Sequence, residues 1–251
     1  MGLSAVVITK NEEKNIARCL ESLSFCDEII VVDSHSTDNT LAIARKFTPK
    51  VFEREWSGYV EQKNYAVGLT SNDWVLSIDA DEEVSSELRQ ELQDVLKSTP
   101  QETAYLIARK TIHSGQWIKY GGWYPNRLVR LFRKSFGSWQ GGPVHEFWAT
   151  QGRVGELKND LVHYSFDSLS DQVERNNLYS SLGAKLLLEQ KHKFSLFRLL
   201  FKPGSKFVET YFLKLGFLDG YRGFFISISA AYSVFLKWAK LWELNQDGQE
   251  S

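Results

Sequence analysis

The feature that most constrains the fold of this chain is a regular alternation of apolar runs and amphipathic segments over its first hundred residues. Runs rich in Val, Ile and Leu occupy 5–8, 28–33 and 74–79, and residues at helical spacing follow each of them. Continuous apolar strands separated by helices are typical of a parallel sheet that is covered on both faces. The alternation therefore predicts an α/β fold with a mostly parallel, Rossmann-like sheet.

Helix signals support this interpretation. Thr37 or Asp38 can cap a helix that carries Leu41, Ala44 and Phe47 inward. Ser85 precedes a segment with leucines at 88, 92 and 96, a spacing that places all three on one helical face. The pattern also predicts a short strand at 51–52 and a helix over 59–69.

The pattern changes after residue 104. We predict strands at 104–112 and 126–132, separated by loops rich in Gly, Trp and Pro, and a helical region from 168 onward. This indicates a mixed-sheet extension with long loops, and such loops commonly carry a substrate site. The predicted organisation is one α/β domain over 1–167, with a parallel half at 1–100 and a mixed half at 101–167, and a C-terminal helical region over 168–251.

Three polar clusters follow three of the predicted strands. They are Thr9-Lys10-Asn11-Glu12, the segment from Asp33 to Asp38, and Asp79-Ala80-Asp81-Glu82. Ligands bind at the carboxyl ends of the strands in open parallel sheets, so we expect these clusters to converge on one site. The alternative is that these residues only cap the following helices, but caps alone leave the additional carboxylates unexplained.

The cluster at Asp79-Ala80-Asp81 is the most specific of the three. Two carboxylates spaced i and i+2 at a strand end can hold Mg²⁺ or Mn²⁺ together with the phosphates that the metal bridges. The sequence contains neither a Walker A pattern nor GxGxxG, so we expect no glycine loop to cradle the phosphate.

Three segments of the chain are Ala5-Val-Val-Ile-Thr-Lys-Asn-Glu-Glu, Ile30-Val-Val-Asp-Ser-His-Ser-Thr-Asp and Leu76-Ser-Ile-Asp-Ala-Asp-Glu. They resemble the three successive signatures of the inverting glycosyltransferases of family 2, which have the GT-A fold. The second signature of the family usually carries Gly where this chain has His35.

The resemblance implies that residues 1–100 form the nucleotide-sugar half of a glycosyltransferase domain and that residues 101–167 form its acceptor half. It also implies a role for each matching residue. It implies that Asp79 contacts ribose or metal, that Asp81 holds the metal at the diphosphate, and that Glu146 is the catalytic base. The residues that it implies for the nucleotide-sugar pocket are Thr9, Asn11, Glu12, Asp33, Ser34, Lys63 and Asp79.

Downstream segments resemble the branch of the family that builds the inner core of lipopolysaccharide, the β-1,4-glucosyltransferases. The resemblance implies UDP-glucose as donor, a heptose of the inner core as acceptor, and a divalent cation, Mg²⁺ or Mn²⁺, as cofactor. The segments are Arg130-Leu-Phe-Arg, Trp139-Gln-Gly-Gly-Pro-Val-His-Glu146, Leu161-Val-His-Tyr-Ser165 and Gly216-Phe-Leu-Asp-Gly220.

Several candidate residues have two interpretations. His163 is either a third metal ligand or a buried histidine bonded to backbone. Arg127 and Arg130 either contact an anionic acceptor or lie on a solvated strand, and alternation places them on opposite faces. Trp139 either stacks on sugar or packs in the core, and His145 is expected to orient Glu146 beside the acceptor.

Charge and cysteine content exclude some classes. The formal net charge is −1, which argues against a globally basic nucleic-acid binder, and two cysteines cannot build a disulfide scaffold or a multi-cysteine zinc module. The N-terminus lacks the pattern of a signal peptide, so we expect a cytoplasmic protein. The apolar stretch at 223–238 is interrupted by three serines and a lysine, and we expect it not to span a membrane.

The C-terminal third is locally basic and aromatic. Between residues 192 and 242 there are eight Lys or Arg residues, two acidic residues and many Phe and Leu residues. This composition predicts attachment to the inner face of the cytoplasmic membrane. The alternative is that the aromatic residues pack on the catalytic domain or in a homo-oligomer.

Three rival functions remain at the level of sequence. One is transfer of a sugar to a peptide or to another lipid-linked glycan. The second is nucleotidyl transfer, which would require a glycine-rich first loop that residues 9–12 lack. The third is a module that binds nucleotide sugars without catalysis, and the intact pair of Asp79 and Asp81 argues against it.

Overall fold

The computed structural model describes residues 1–142, 145–166 and 168–247 of the chain. Its backbone groups into two compact units, Met1–Lys110 with Asn126–Tyr164, and Thr111–Pro125 with Ser165–Ser251. Residues 111–125 therefore group with the C-terminal helices, whereas the sequence pattern assigned them to the mixed half of the α/β domain.

The strands and helices follow the alternation seen in the sequence. The strands are β1 (Leu3–Thr9), β2 (Glu28–Asp33), β3 (Val51–Glu53), β4 (Trp74–Asp79), β5 (Glu82–Val84), β6 (Ala104–His113), β7 (Gln116–Trp117), β8 (Asn126–Arg133), β9 (Gly137–Gly142), β10 (His145–Thr150), β11 (Val154–Glu156) and β12 (Leu161–Phe166). The helices are α1 (Ile16–Ser22), α2 (Thr40–Ala44), α3 (Tyr59–Gly68), α4 (Ser86–Lys97), α5 (Leu169–Glu189), α6 (Leu196–Val208) and α7 (Gly220–Asp247).

The first unit is built on a mixed sheet. Its neighbouring strands run in the order β3-β2-β1-β4-β8-β6, and β3, β2, β1 and β4 are mutually parallel. β8 is antiparallel to both β4 and β6, β5 pairs with β12, and β9 pairs with β10 in a separate antiparallel ribbon. The predicted parallel half and mixed extension are both present.

Helices cover both faces of the parallel strands. In β1, Ala5 and Val7 face a core shared with α1 and α4, whereas Val6 faces a second core shared with α3. Successive residues of a strand point to opposite faces, so a fully apolar strand is the expected solution for a sheet with two covered faces.

Two helix signals in this unit have different outcomes. The Ser85 side chain accepts a hydrogen bond from the Leu88 N–H, and all three predicted leucines of α4 are buried, as predicted. α2 is shorter than predicted, because it ends at Ala44 and leaves Phe47 exposed in the following turn.

The second unit is mostly helical. The Asp219 carboxylate accepts hydrogen bonds from the backbone N–H groups of Lys119 and Tyr120, which ties the 111–125 segment to the turn before α7. α5 and α7 pack together, and Lys240 of α7 donates to the carbonyl oxygen of Asn177 and the hydroxyl of Ser181 on α5. These bonds fix the segment 111–125 and α5 against the last helix.

Residues Gly216–Gln246 include the one stretch, among the described residues, that is long and apolar enough to cross a membrane. This differs from the sequence interpretation, which excluded a span because polar residues interrupt 223–238. Length and composition alone do not separate a spanning helix from a core helix of a soluble protein. In the structure, Ile226, Trp238 and Leu241 of this stretch are buried.

One buried carboxylate lies at the opposite end of the sheet from the polar clusters. Glu28, at the start of β2, accepts hydrogen bonds from Ser4, from the Ser71 N–H and hydroxyl, and from the Lys50 ammonium group. Burial raises the pKa of Glu28, but these hydrogen bonds lower it more, to about 2. The ionised carboxylate therefore links β1, β2 and the turn before β4.

We expect Glu28→Gln to reduce the free energy of unfolding by about 2–3 kcal/mol at pH 7. Because the folded-state pKa lies below the ordinary value of 4.5, this stabilisation is present above pH 4.5 and disappears as the pH falls toward 2. Urea titrations of both proteins at several pH values measure the difference. The exposed Glu21→Gln variant is the control, and a difference that does not change with pH would contradict the assignment.

Candidate active site

The three polar clusters meet at the carboxyl ends of adjacent strands. Thr9 of β1 is in register with Asp33 of β2, and Ile8 is in register with Asp79 of β4. The side chains that end these strands therefore line one edge of the parallel sheet, where open α/β folds bind their ligands.

The loops after β1 and β2 are joined to each other by hydrogen bonds. The Asn11 amide oxygen accepts from the Thr37 N–H at 2.8 Å, and the Asn11 N–H donates to the Ser36 hydroxyl at 2.8 Å. The Glu12 N–H donates to the Thr40 hydroxyl at 2.8 Å. Asn11 and Glu12 thus organise the rim of the site through their backbone and amide groups.

Asp33 is completely buried at the end of β2. Its carboxylate accepts hydrogen bonds from both the N–H and the hydroxyl of Ser36. His35 lies in this turn with φ of 56°, a left-handed conformation that Gly adopts without strain. This explains why the family usually carries Gly here, and the contacts of Asp33 persist with His35 in its place.

Ser34 and α3 form the floor of the same region. The buried Ser34 hydroxyl accepts a hydrogen bond from the Gln62 amide at 3.0 Å. Among the described residues, the Thr9 hydroxyl and the Gln62 amide oxygen are buried polar atoms without a hydrogen-bond partner. Buried polar atoms are normally paired, so these two oxygens are available to a bound ligand.

Lys63 lies at the centre of the crevice. Its ammonium nitrogen is 2.9 Å from Glu146 Oε1 and 3.3 Å from Asp79 Oδ1, and its side chain is 3% exposed. The same nitrogen lies 4.6 Å from the centre of the Trp139 ring. One lysine therefore links the end of β4 to the β9–β10 ribbon.

A second cation holds Asp79 from the other side. The Arg130 guanidinium of β8 bonds both the Asp79 carboxylate and Glu82, the latter at 2.6 Å, and Arg109 lies 3.4 Å from the same Glu82 oxygen. Burial raises the pKa of Asp79, but Arg130 and Lys63 lower it more and hold it well below its usual range. Asp79 is therefore an anion with each of its two oxygens paired to a cation.

This arrangement corrects the expectation for Arg130. The arginine is neither solvated nor open to an acceptor, because its side chain is 2% exposed and lies between two carboxylates. β8 is irregular between Val129 and Leu131, so simple alternation does not assign the faces of Arg127 and Arg130. Arg127 is exposed and forms an ion pair with Glu156, so a solvated strand face describes Arg127 in this structure.

Asp81 occupies a different environment two residues after Asp79. Its carboxylate oxygen is 3.3 Å from His163 Nε2, and both side chains are largely buried. The antiparallel pairing of β5 with β12 sets His163 opposite Glu82 and so brings the imidazole beside the turn that carries Asp81. No group of three or more His, Cys, Asp or Glu residues suited to a metal occurs within the described part of the chain.

Glu146 reaches the crevice from β10. Its strand pairs with β9, with Glu146 opposite Gly141, and its side chain is 20% exposed and bonded to Lys63. The backbone of His145 belongs to the same strand, but its side chain lies outside the described residues.

Trp139 is a core residue. Its ring packs against Phe132 and Trp148, and only 4% of the residue is exposed. The Asn64 amide bonds the Trp139 backbone at both its N–H and its carbonyl oxygen. Of the two interpretations of Trp139, stacking on sugar or packing in the core, the structure therefore agrees with packing in the core, beside Lys63.

Sequence reasoning missed the pairing of Arg130 with Asp79 and Glu82, and it missed Gln62. A signal was present for Arg130, because an arginine between Val129 and Leu131 in an apolar strand requires a buried partner.

The chain is similar to known proteins along most of its length. A family model described as glycosyl transferase family 2 matches residues 4–151. An uncharacterized glycosyltransferase of Rickettsia typhi is 39% identical over 97% of this chain and 87% of its own length. The lipopolysaccharide core biosynthesis glycosyltransferase LpsC of Rhizobium meliloti is 32% identical over 96% of this chain and 92% of its own length.

A solved structure supports the fold. Residues 1–349 of Staphylococcus aureus TarS, in complex with UDP-GlcNAc, align with a TM-score of 0.51 and 16% identity, over 99% of this chain and 92% of that chain. At this identity the likeness concerns the fold alone. The mixed sheet with a C-terminal helical region is thus of the GT-A type, as the sequence resemblance implied.

We expect Arg130→Met to lower the free energy of unfolding by about 3–5 kcal/mol, because the fully buried Glu82 and the partly exposed Asp79 lose their shared cation. Arg127→Met is the matched control on the same strand. It removes an exposed ion pair and should cost about 0–1 kcal/mol. Chemical denaturation measures both, and equal small losses would show that the buried bridge does not stabilise the fold.

Proposed function

Since the chain belongs to glycosyl transferase family 2, we propose that it transfers a sugar from a nucleotide-sugar donor to a heptose of the lipopolysaccharide inner core. The sugar that we assign is glucose. The observation that carries the proposal is the convergence of Asp33, Asp79, Asp81 and Glu146 at one edge of the sheet. The similarity to the Rhizobium meliloti glycosyltransferase of lipopolysaccharide core biosynthesis supports the acceptor class. UDP-glucose is the proposed donor.

We assign the nucleoside to the pocket at the ends of β1 and β2. Asp33 and Ser34 are buried there, and the Thr9 hydroxyl and Gln62 amide oxygen supply unpaired polar atoms within the described residues. The joined loops of Asn11 and Glu12 form the rim. A polar pocket of this kind fits a base and ribose, which need several directed hydrogen bonds.

A divalent cation, Mg²⁺ or Mn²⁺, is the proposed cofactor. Asp81 and His163 offer one oxygen and one nitrogen donor that already face each other, and such a pair fits a cation that takes its other ligands from diphosphate and water. Both Asp79 oxygens are paired with Lys63 and Arg130, so we assign Asp79 to donor contact and positioning. When bound, the cation would neutralise charge on the departing diphosphate.

The proposed chemistry is a single displacement. The acceptor hydroxyl oxygen forms a bond to the anomeric carbon as the bond from that carbon to the diphosphate oxygen breaks, and the electron pair leaves with the nucleoside diphosphate. Glu146 takes the hydroxyl proton. Lys63 holds the Glu146 carboxylate in place at 2.9 Å and supplies positive charge beside the reacting groups.

The direct test is a donor and acceptor screen. The protein is incubated with Mn²⁺, a panel of nucleotide sugars, and lipopolysaccharide truncated at the inner-core heptose, and products are identified by mass spectrometry. We expect hexose transfer from UDP-glucose with inversion at the anomeric carbon. Transfer only to a peptide or to another lipid-linked glycan would replace the proposed acceptor, and no transfer from any donor would overturn the proposal.

We expect Glu146→Gln to lower kcat by about 10²–10⁴-fold, because the amide keeps the shape of the side chain but cannot accept a proton. The Michaelis constant for the donor should change little. Glu156→Gln, an exposed carboxylate of the same unit, is the control. Turnover within a few-fold of the unaltered protein would move the role of base to Asp38, Glu82 or Glu83.

We expect His163→Ala and Asp81→Asn each to weaken Mn²⁺ binding by about 10-fold or more, since each removes one of two facing donors. Electron paramagnetic resonance titration of Mn²⁺ in the presence of UDP measures this, and thermal melting measures stability separately. The exposed Asp94→Asn variant is the control. Unchanged Mn²⁺ affinity with a lower melting temperature would make His163 a structural residue.

The remaining proposals concern location and partners. We place the protein in the cytoplasm, on the inner face of the cytoplasmic membrane, where a lipid-linked acceptor is accessible from the donor side. The net charge of −1 argues against a nucleic-acid partner. Assembly into a homo-oligomer is the alternative use of the apolar C-terminal surface.

A further inference from the structure

Helix α6 of the second unit has an apolar face that nothing in the described chain covers. Phe197, Leu200 and Phe201 are 69%, 62% and 59% exposed, and the rings of Phe197 and Phe201 stack with their centres 4.4 Å apart. Leu196 and Val208 are also exposed. These positions lie on one side of the helix, with Gly204 and Ser205 in the turn between Phe201 and Val208.

The other side of α6 is basic. Arg198 and Lys202 approach the Trp238 ring of α7, with the charged groups 5.3 and 5.5 Å from its centre. Lys206 continues the row at the same spacing and forms an ion pair with Glu209 at 3.1 Å. Burial lowers the pKa of Lys237 on α7, and Lys202 and Lys206 lower it further, so these ammonium groups face one another.

The apolar surface continues beyond the end of α6. A π-helical turn over Glu209–Leu213 and a 3₁₀ turn over Gly216–Asp219 follow the helix. Phe207 lies against Tyr211, Phe212 and Phe224, which connects these turns to α6 and α7. Leu213, at 75% exposure, and Leu218 extend the uncovered surface.

Charge distinguishes between the possible occupants of this face. The segment from 192 to 242 carries eight basic and two acidic residues, in a chain whose formal net charge is −1. A symmetric contact between two copies would bring two such positive segments together, which is unfavourable. An anionic lipid surface complements the charge, and each basic side chain near it contributes about 1 kcal/mol.

We propose that α6 lies flat in the interface of an anionic membrane, with Phe197, Leu200 and Phe201 in the acyl boundary and Arg198, Lys202 and Lys206 at the level of the headgroups. An amphipathic helix with aromatic and Leu residues on one face and Lys or Arg on the other has this behaviour. The inference deepens the proposed function, because it supplies the surface that meets a lipid-linked acceptor.

The experiment is flotation of the full chain with vesicles. One set contains phosphatidylglycerol and phosphatidylethanolamine, and the other contains phosphatidylcholine only. The combined Phe197→Ser, Leu200→Ser and Phe201→Ser variant should bind anionic vesicles at least about 10-fold more weakly, because three exposed side chains lose their transfer free energy. Its melting temperature should change little, since all three side chains are exposed.

A matched control replaces three exposed aromatic residues of the first unit, Phe47, Trp56 and Tyr65, by Ser, and should bind as the unaltered chain does. Lys202→Gln with Lys206→Gln should weaken binding to anionic vesicles and reduce its sensitivity to salt.

Transfer of sugar to a soluble acceptor fragment separates the membrane proposal from the proposed function. The α6 variant should retain that activity, whereas failure of the proposed function would abolish it in every variant.

Three results would overturn the inference. The first is absence of binding of the full chain to anionic vesicles at low salt. The second is binding of the α6 variant to anionic vesicles as strongly as the unaltered chain binds. If that binding also resists alkaline extraction, the attachment belongs to a membrane-spanning segment at 216–246. The third is a dimer, measured by light scattering without lipid, that the α6 variant dissociates, since the face would then belong to a second copy.

Discussion

The buried bridge from Arg130 to Asp79 and Glu82 is the interaction on which the crevice depends. The end of β4 and the adjoining β5 place two carboxylates side by side, with the Glu82 side chain fully buried and the Asp79 side chain 29% exposed. Neighbouring carboxylates repel each other and a buried one loses its hydration, so cations beside the pair stabilise it. The antiparallel strand β8 supplies Arg130 at that point, and α3 supplies Lys63 to the open oxygen of Asp79.

Much of this arrangement was predictable from short-range patterns. The strand at 28–33, the strand at 74–79 and the helix after Ser85 agree with the structure, because apolar periodicity and capping are local properties of the sequence. The convergence of the polar residues that follow β1, β2 and β4 was also predictable. In a parallel sheet all carboxyl ends meet at one edge, whatever the details of the loops.

The partners of single side chains were less predictable. Arg130 and Asp79 are separated by 51 residues, and their contact depends on the antiparallel register of β8 against β4. Alternation did not predict that Arg130 is buried, and β8 is irregular at this residue, where Val129 pairs with Leu106 and Leu131 with Tyr105. Trp139 illustrates the same limit. From sequence, an aromatic residue beside loops can stack on a sugar or pack in the core, and only the contacts with Phe132 and Trp148 distinguish these roles.

The two carboxylates of the Asp79-Ala80-Asp81 triplet therefore differ in their environment. Asp79 ends a strand and is held by two cations from neighbouring elements, so its position is fixed before any ligand arrives. Asp81 lies in the turn that follows, opposite the imidazole of a strand that returns from much later in the chain. A fixed carboxylate is suited to orienting a bound donor, and a carboxylate that faces an imidazole is suited to receiving a metal. Our proposal therefore divides the two tasks between the two carboxylates of one short motif.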